Sequence, residues 1–205
     1  MPSLRSGSDF AFTRSGVARI VAQVMDRREL ERRAAAGEVF EYLFFWGAKG
    51  QHLGEVDASC LSQWYPSSFE VDGERYATAE HYMMAGKARL FGDREIEAKI
   101  LASDDPREAK GLGRKVRGFE TARWQQACVS IVVDGNVAKF TQHRKLRAFL
   151  LGTGEKILVE ASPLDTIWGI GLGKENPKAL DPRSWRGTNL LGFALMDVRG
   201  KLGAA

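Results

Sequence analysis

The residue pattern predicts an α+β chain: a mostly helical single domain with a few short strands, over residues 38–205, preceded by an N-terminal helical extension, residues 1–37. Three observations lead there. Apolar residues recur at helical spacing over residues 10–36, 76–91, 121–150 and 189–196. Two short runs, 40–47 and 156–161, are apolar, and the first is aromatic and closed by glycine. Asp72-Gly73 is the strongest hairpin-turn signal in the chain. With 205 residues and 44% hydrophobic content, the chain can bury one core and carry an extension.

The elements follow in order. Residues 1–9 are rich in Ser, Gly and Pro, and poor in apolar residues. Val17, Ile20, Val21, Val24 and Leu30 then fall at helical spacing, with Arg27, Arg28, Arg32 and Arg33 crowding the end. This reads as an appended helix, an oligomer contact or a partner-binding arm. Residues 40–47 read as a buried strand and 48–60 as a loop. A hairpin spans 68–76. Thr78 is a candidate N-cap for the helix that follows, its hydroxyl taking a free backbone N–H. Asp93 caps a second helix. Asp105-Pro106 opens a third, with Pro at the first helical position. Glu120 or Thr121 opens a longer one, with a break expected near Gly135. A strand at 156–161, a Gly-rich segment at 165–173 and a last helix capped at Thr188 or Asn189 complete the chain.

Composition excludes several classes. No apolar run approaches the roughly 20 residues of a membrane span, and no secretion signal is evident. Cys60 and Cys128 read as two buried thiols in a reducing compartment, so a cytoplasmic location is expected. His52, His81 and His143 show no metal-ligand spacing, and no metal site is expected. The net charge is +4, but residues 1–37 hold seven Arg against four acids, leaving the body nearly balanced. A bulk nucleic-acid binder would carry a larger basic excess. Gly169-Ile170-Gly171-Leu172-Gly173 lacks dinucleotide-loop spacing, and no serine-hydrolase, P-loop or kinase signature occurs.

The candidate chemistry centres on the helix over 76–91. Glu80 and Lys87 fall within about 20° on one face, roughly 10 Å apart along the axis, with Met83 and Met84 between them. That is either a surface acid and base over a core Met pair, or a pocket wall whose two charges address one ligand. Asp165 and Trp168 pair a carboxylate with an aromatic plate. They read either as a loop cap and a core Trp, or as a ligand clamp in which a base stacks on Trp168. Glycine at 169 would let backbone approach a ligand. Arg114 and Lys139 are candidate phosphate anchors or simply solvated charges.

These pieces, taken in order, resemble the NADAR family, which includes N-glycosidases acting on riboflavin-biosynthesis intermediates. The resemblance rests on Phe44-Phe45-Trp46-Gly47, Leu61-Ser62-Gln63-Trp64, Val71-Asp72-Gly73, and Thr78-Ala79-Glu80-His81-Tyr82 with Lys87. It continues through Leu112-Gly113-Arg114, Trp124, Ala138-Lys139-Phe140, Val159-Glu160, Asp165 with Trp168-Gly169, and Asn189-Leu190-Leu191-Gly192. It covers about residues 40–203. Gly86 departs from it, since bulkier residues are common before the lysine. The resemblance implies cleavage of a C1′–N bond in a ribosylated base, either a ribosylaminopyrimidine phosphate or an ADP-ribosyl guanine. It implies no metal or organic cofactor. The partner would be a small ribosylated molecule or an ADP-ribosylated nucleic acid, with no membrane. A non-catalytic module for ADP-ribose or NAD is the alternative, as is a nucleic-acid-associated ADP-ribosyl hydrolase docked by the Arg-rich arm. The implied catalytic residues are Glu80, Lys87 and Asp165. The implied substrate contacts are Trp46, Gly47, Trp64, Arg114, Trp124, Trp168 and Gly169.

Overall fold

Period-two alternation along two short strands divides the apolar residues of this chain between two cores. The computed structural model describes residues 25–47 and 55–204. Its elements are α1 (Arg27–Ala35), β1 (Tyr42–Phe45), β2 (Phe69–Val71), β3 (Glu74–Tyr76), α2 (Ala79–Leu90), α3 (Arg94–Leu101), α4 (Pro106–Gly113), α5 (Thr121–Gln142), α6 (Arg144–Gly152), β4 (Ile157–Glu160) and α7 (Leu190–Gly203). β1 and β4 pair in parallel, with Phe45 opposite Glu160. A parallel pair needs a long crossover, and here it contains everything from β2 to α6.

Phe45 and Leu158 face the larger core, built from Met83 and Ala85 of α2, Val132 and Phe140 of α5, and Leu191, Leu195 and Val198 of α7. Ile157 and Val159 point the other way, into a smaller core with Leu30, Ile170, Leu172, Ala179, Trp185 and Phe193. The result is mostly helical with two small sheets, as the sequence predicts. At the β2–β3 hairpin, Asp72 and Gly73 both take positive φ, 54° and 81°, as a type I′ turn requires. Cys60 and Cys128 are buried and free.

Three local readings change. The expected helix over 10–36 lies outside the described residues up to 24. Its end, α1, is packed on the body: Leu30 is fully buried, and Arg27 donates to the carbonyls of Trp185 and Gly187 at 2.9 and 3.0 Å. Leu30→Ala is therefore expected to cost about 2–5 kcal/mol, the range for a buried leucine. A urea midpoint equal to that of the wild type would refute this packing role. The second change is at Gly135. α5 runs through it unbroken to Gln142, because a Cβ there would stand 2.5 Å from the Tyr82 ring. Glycine serves helix contact at this point, not helix termination. The third is Thr78. It is the N-cap of α2 but makes no side-chain cap bond; its Oγ1 pairs with His81 Nδ1 at 2.9 Å. The N–H of Glu80 goes instead to the carbonyl of Gln63, at 3.0 Å.

Candidate active site

The segment Ser62-Gln63-Trp64 is held by polar groups of α5. Lys139 is fully buried and donates to the carbonyls of Cys60 and Ser62 at 2.7 and 3.1 Å. Burial pulls its pKa down to about 8. The phosphate-anchor reading of Lys139 is thus corrected: its ammonium is spent inside the protein, where it braces backbone. One turn earlier, buried Asn136 donates to Gln63 Oε1 at 2.8 Å. These braces press the segment onto the first turn of α2, where the Trp64 side chain acts on the Glu80 carboxyl.

Glu80 is 3% exposed, and its Oε1 has no hydrogen-bond partner among the described residues. A carboxylate in the first turn of a helix is normally favoured by the helix dipole, by about 0.3–1 kcal/mol. Burial outweighs that here and pushes the group up to about 7, with the charge of Asp165 adding to the effect. Lys110, Trp64 and Arg114 pull the other way. Lys110 and Arg114 come from the C-terminal half of α4 and its cap, where Gly113 seats directly against Met84. Lys110 Nζ also lies 5.8 Å from the Trp64 ring centroid.

A second carboxyl, half-buried with one oxygen enclosed, lies under the same charges, and the sequence reading did not place it in the site. Glu160 ends β4. Its N–H donates to Asn189 Oδ1 at 3.0 Å, and its carbonyl accepts from the Ile170 N–H at 3.0 Å. Its Oε2 is enclosed and unpartnered among the described residues. Burial first, then the charges of Asp165 and Glu80, push it up to about 8 against the opposing pull of Lys110. Asn189 adopts the left-handed conformation, with φ 55°. Its amide also donates to the Leu158 carbonyl at 2.9 Å. One side chain thus replaces a missing neighbour strand on the free edge of β4. The signal available in the sequence was an acid closing an otherwise apolar strand.

Asp165 Oδ1 accepts from the N–H groups of Ile167 and Trp168 at 2.9 and 2.8 Å. It therefore caps its own loop while its charge acts on both glutamates. Trp168 is half-buried against the larger core. At Gly169 a Cβ would stand 2.9 Å from the Glu160 carbonyl oxygen. The glycine is explained by close packing of the loop on β4, rather than by room for a ligand.

Lys87 shares the α2 face of Glu80 but has different surroundings. Its Nζ lies 4.2 Å from the Phe119 ring centroid and 5.6 Å from that of Trp124. Burial lowers its pKa, and no carboxylate contributes to that shift. Arg117 fixes the segment carrying Arg114 and Phe119: its backbone N–H and guanidinium both bond Asp93, at 2.6–3.0 Å. Met83 and Met84 are buried in the larger core, as the plainer sequence reading has it.

Glu80, Glu160, Asp165, Trp64, Lys110 and Arg114 thus form one interacting cluster, while Lys87 and Trp124 form an adjoining aromatic one. Trp46 lies outside that cluster but follows Phe45, the strand partner of Glu160. It is 61% exposed at the end of β1, on a cleft of about 400 Å³ lined also by Phe44, Asp57, Ser59 and Ala161. Gly47 follows it with φ 69°. Ala161 links this cleft to Glu160, its neighbour in the chain. Among the described residues, no three His, Cys, Asp or Glu side chains are grouped to hold a metal ion. None of their helices is long and apolar enough to cross a membrane.

Residues 44–203 match the family model described as the NADAR domain. The chain is 42% identical to N-glycosidase R617 of Acanthamoeba polyphaga mimivirus over 79% of its own length and 96% of that protein. It is 32% identical to N-glycosidase YbiA of Escherichia coli K12, over 71% of this chain and 81% of that one. The NMR structure of E. coli YbiA superposes with a TM-score of 0.65 at 28% identity, covering 82% of this chain and 88% of that one.

Proposed function

The chain belongs to the NADAR domain family, and from that premise we propose that it is an N-glycosidase cleaving the C1′–N bond of a ribosylated amine. The observation that carries this reading is Glu80. It is a carboxyl enclosed by protein, held near neutrality at about 7, with one oxygen unpartnered among the described residues. A group poised near the working pH can both give and take a proton, which is the requirement for general acid–base catalysis. Two relatives that carry the name N-glycosidase cover most of this chain.

In this reading Glu80 moves the proton that bond cleavage requires. Asp165 stabilises positive charge developing at C1′ or orients a ribose hydroxyl. Arg114, exposed at the end of α4, holds phosphate. Trp64, Trp124, Trp168 and the Trp46-Gly47 corner supply aromatic and backbone contacts to base and sugar, with Gly169 letting Trp168 and Glu160 pack closely. Lys87, partly desolvated between two aromatic rings, acts as an amine that attacks C1′ of a ring-opened ribosylamine. The substrate is a ribosylaminopyrimidine phosphate or an ADP-ribosylated guanine, and the nearly neutral body favours the small molecule.

The test is incubation of the purified protein with each substrate, following release of the free base by chromatography. Catalytic release of base from either one supports the reading. Tight binding of both without release at any enzyme concentration would replace it with the non-catalytic ADP-ribose module.

A further inference from the structure

We propose that Gln63, held in turn by Asn136, is a positioning residue of this site: it fixes the first turn of α2 and the neighbouring Trp64 so that the Glu80 carboxyl stays enclosed. Its effect on turnover rests on the N-glycosidase reading; the enclosure of Glu80 does not. Hydrogen bonds carry the proposal. The Gln63 carbonyl accepts from the Glu80 N–H at 3.0 Å. Its side-chain Nε2 donates to the Ala79 carbonyl at 3.5 Å, the weaker of the two contacts. Both contacts are to one peptide group, so the plane that carries the Glu80 Cα is held at its two polar ends. Gln63 is itself held. Its Oε1 accepts from Asn136 Nδ2 at 2.8 Å, and the same nitrogen donates to the Val132 carbonyl at 2.8 Å. Both residues are buried, Asn136 fully. Each amide has one workable orientation. Turning over that of Asn136 would set its oxygen against the Val132 carbonyl and the Gln63 oxygen. Turning over that of Gln63 would set oxygen against the Ala79 carbonyl and nitrogen against nitrogen at Asn136.

Packing alone does not account for this pair of amides. Asn136 Oδ1 is enclosed with no partner among the described residues, and apolar groups of like shape at both places would leave no such atom. The relay reaches the carboxyl by two routes. The gripped peptide sets where the Glu80 Cα stands. The residue after Gln63 is Trp64, whose side chain acts on the Glu80 carboxyl. Trp64 is pinned on its other side as well: its N–H donates to Ser62 Oγ at 3.2 Å, and the Ser62 carbonyl is one of the two that Lys139 holds. Within this segment Gln63 is the residue that ties both α2 and α5 to it. Loosening Gln63 frees Trp64 to move and lets water reach Glu80. The charges that act on Glu80 come from elsewhere. They are Lys110 and Arg114 of α4 and Asp165 in the loop after β4, while Glu160 at the end of β4 feels Glu80 in turn. Among the described residues none of these hydrogen-bonds Gln63 or Asn136, so they stay in place when the relay is cut.

Two measurements decide the proposal, on Gln63→Met and Asn136→Leu, which keep size and remove the amide. The first is the titration midpoint of the Glu80 carboxyl in the ligand-free protein, followed by carbon-13 NMR and assigned with Glu80→Gln. Burial holds it at about 7 in the wild type. In each variant it should fall by about one pH unit or more, because water admitted to the carboxyl favours its charged form. An unchanged midpoint in both variants overturns the proposal, and Gln63→Met decides alone if Asn136→Leu fails to fold. The second is kcat against pH with a ribosylamine substrate. Each variant should lose about 10–100-fold in kcat with KM nearly unchanged, the scale of a small misplacement of a catalytic group. The limb of the profile that Glu80 governs should move to lower pH with the midpoint. The double variant should lose no more than Gln63→Met alone, since Asn136 acts through Gln63. A loss with the limb unmoved, or losses that multiply in the double variant, would make the two amides merely structural. A wild type inert on every ribosylamine overturns the enzymatic reading, and leaves the titration to judge whether Gln63 keeps Glu80 enclosed.

Discussion

Glu80→Gln is expected to lower turnover by about 10²–10⁴-fold, the usual worth of a positioned acid–base group, and to make the protein more stable at alkaline pH. The second half follows from linkage. In the unfolded chain this carboxyl ionises near the ordinary value of about 4.3. In the folded protein burial holds the proton until about pH 7. Between those values the folded state binds more protons than the unfolded state, so stability falls as pH rises. Above pH 7 the folded protein carries the full cost of an enclosed carboxylate, on the order of 3 kcal/mol. Glutamine has the same shape and no charge to bury. The variant and the wild type should melt together at pH 4 and below, where Glu80 is protonated in the folded protein and largely so in the unfolded chain. By pH 8.5 the variant should melt several degrees higher. A variant that loses activity and melts lower by the same amount at both pH values would make Glu80 a packing residue. Gain of stability with loss of turnover is the pattern expected where a site is strained for its chemistry.

The strand–helix alternation was legible because each signal was local. Asp105-Pro106, Asp72-Gly73 and the aromatic run at 40–47 act within a few residues; the folded chain uses the first two as read, and the third as a shorter strand, Tyr42–Phe45, that is half-buried except at Phe45. What stayed hidden depends on partners far away in sequence. Lys139 looked like any solvated lysine until the carbonyls of Cys60 and Ser62, nearly 80 residues earlier, were found to consume its ammonium. Gly135 looked like a helix break because the pressure on it comes from Tyr82, on another helix. Glu160 was passed over for the same reason. Its surroundings are assembled from α2, α4 and the loop at Asp165, none of which adjoins β4 in the chain except the last. Leu30 belongs here too: its side chain completes the smaller core between β4 and Trp185, a role that helical spacing in the arm could not reveal.

A covalent adduct on Lys87 is the second large effect expected. Burial against Phe119 and Trp124 disfavours the ammonium form, so a larger share of Lys87 is free amine near neutrality than for a solvated lysine. A ribosylamine opens its sugar ring to an imine, and the Nζ of Lys87 can add to C1′ and displace the base as its free amine. The new imine between Nζ and C1′ is then cleaved by water. Two features of α2 permit the encounter. Lys87 lies two turns after Glu80 on nearly the same side, and long helical side chains lean toward the N-terminus, here toward Glu80. Borohydride added during turnover should reduce the imine and leave a sugar on the peptide containing Lys87, detectable by mass spectrometry, with activity lost in proportion to labelling. Lys87→Arg keeps the cation over the two rings but cannot form an imine. It should abolish labelling and lower kcat by at least 100-fold while the fold survives. Full turnover in Lys87→Arg without any adduct would reduce Lys87 to an electrostatic anchor. C1′ would then go directly to water, assisted by Glu80 or Asp165.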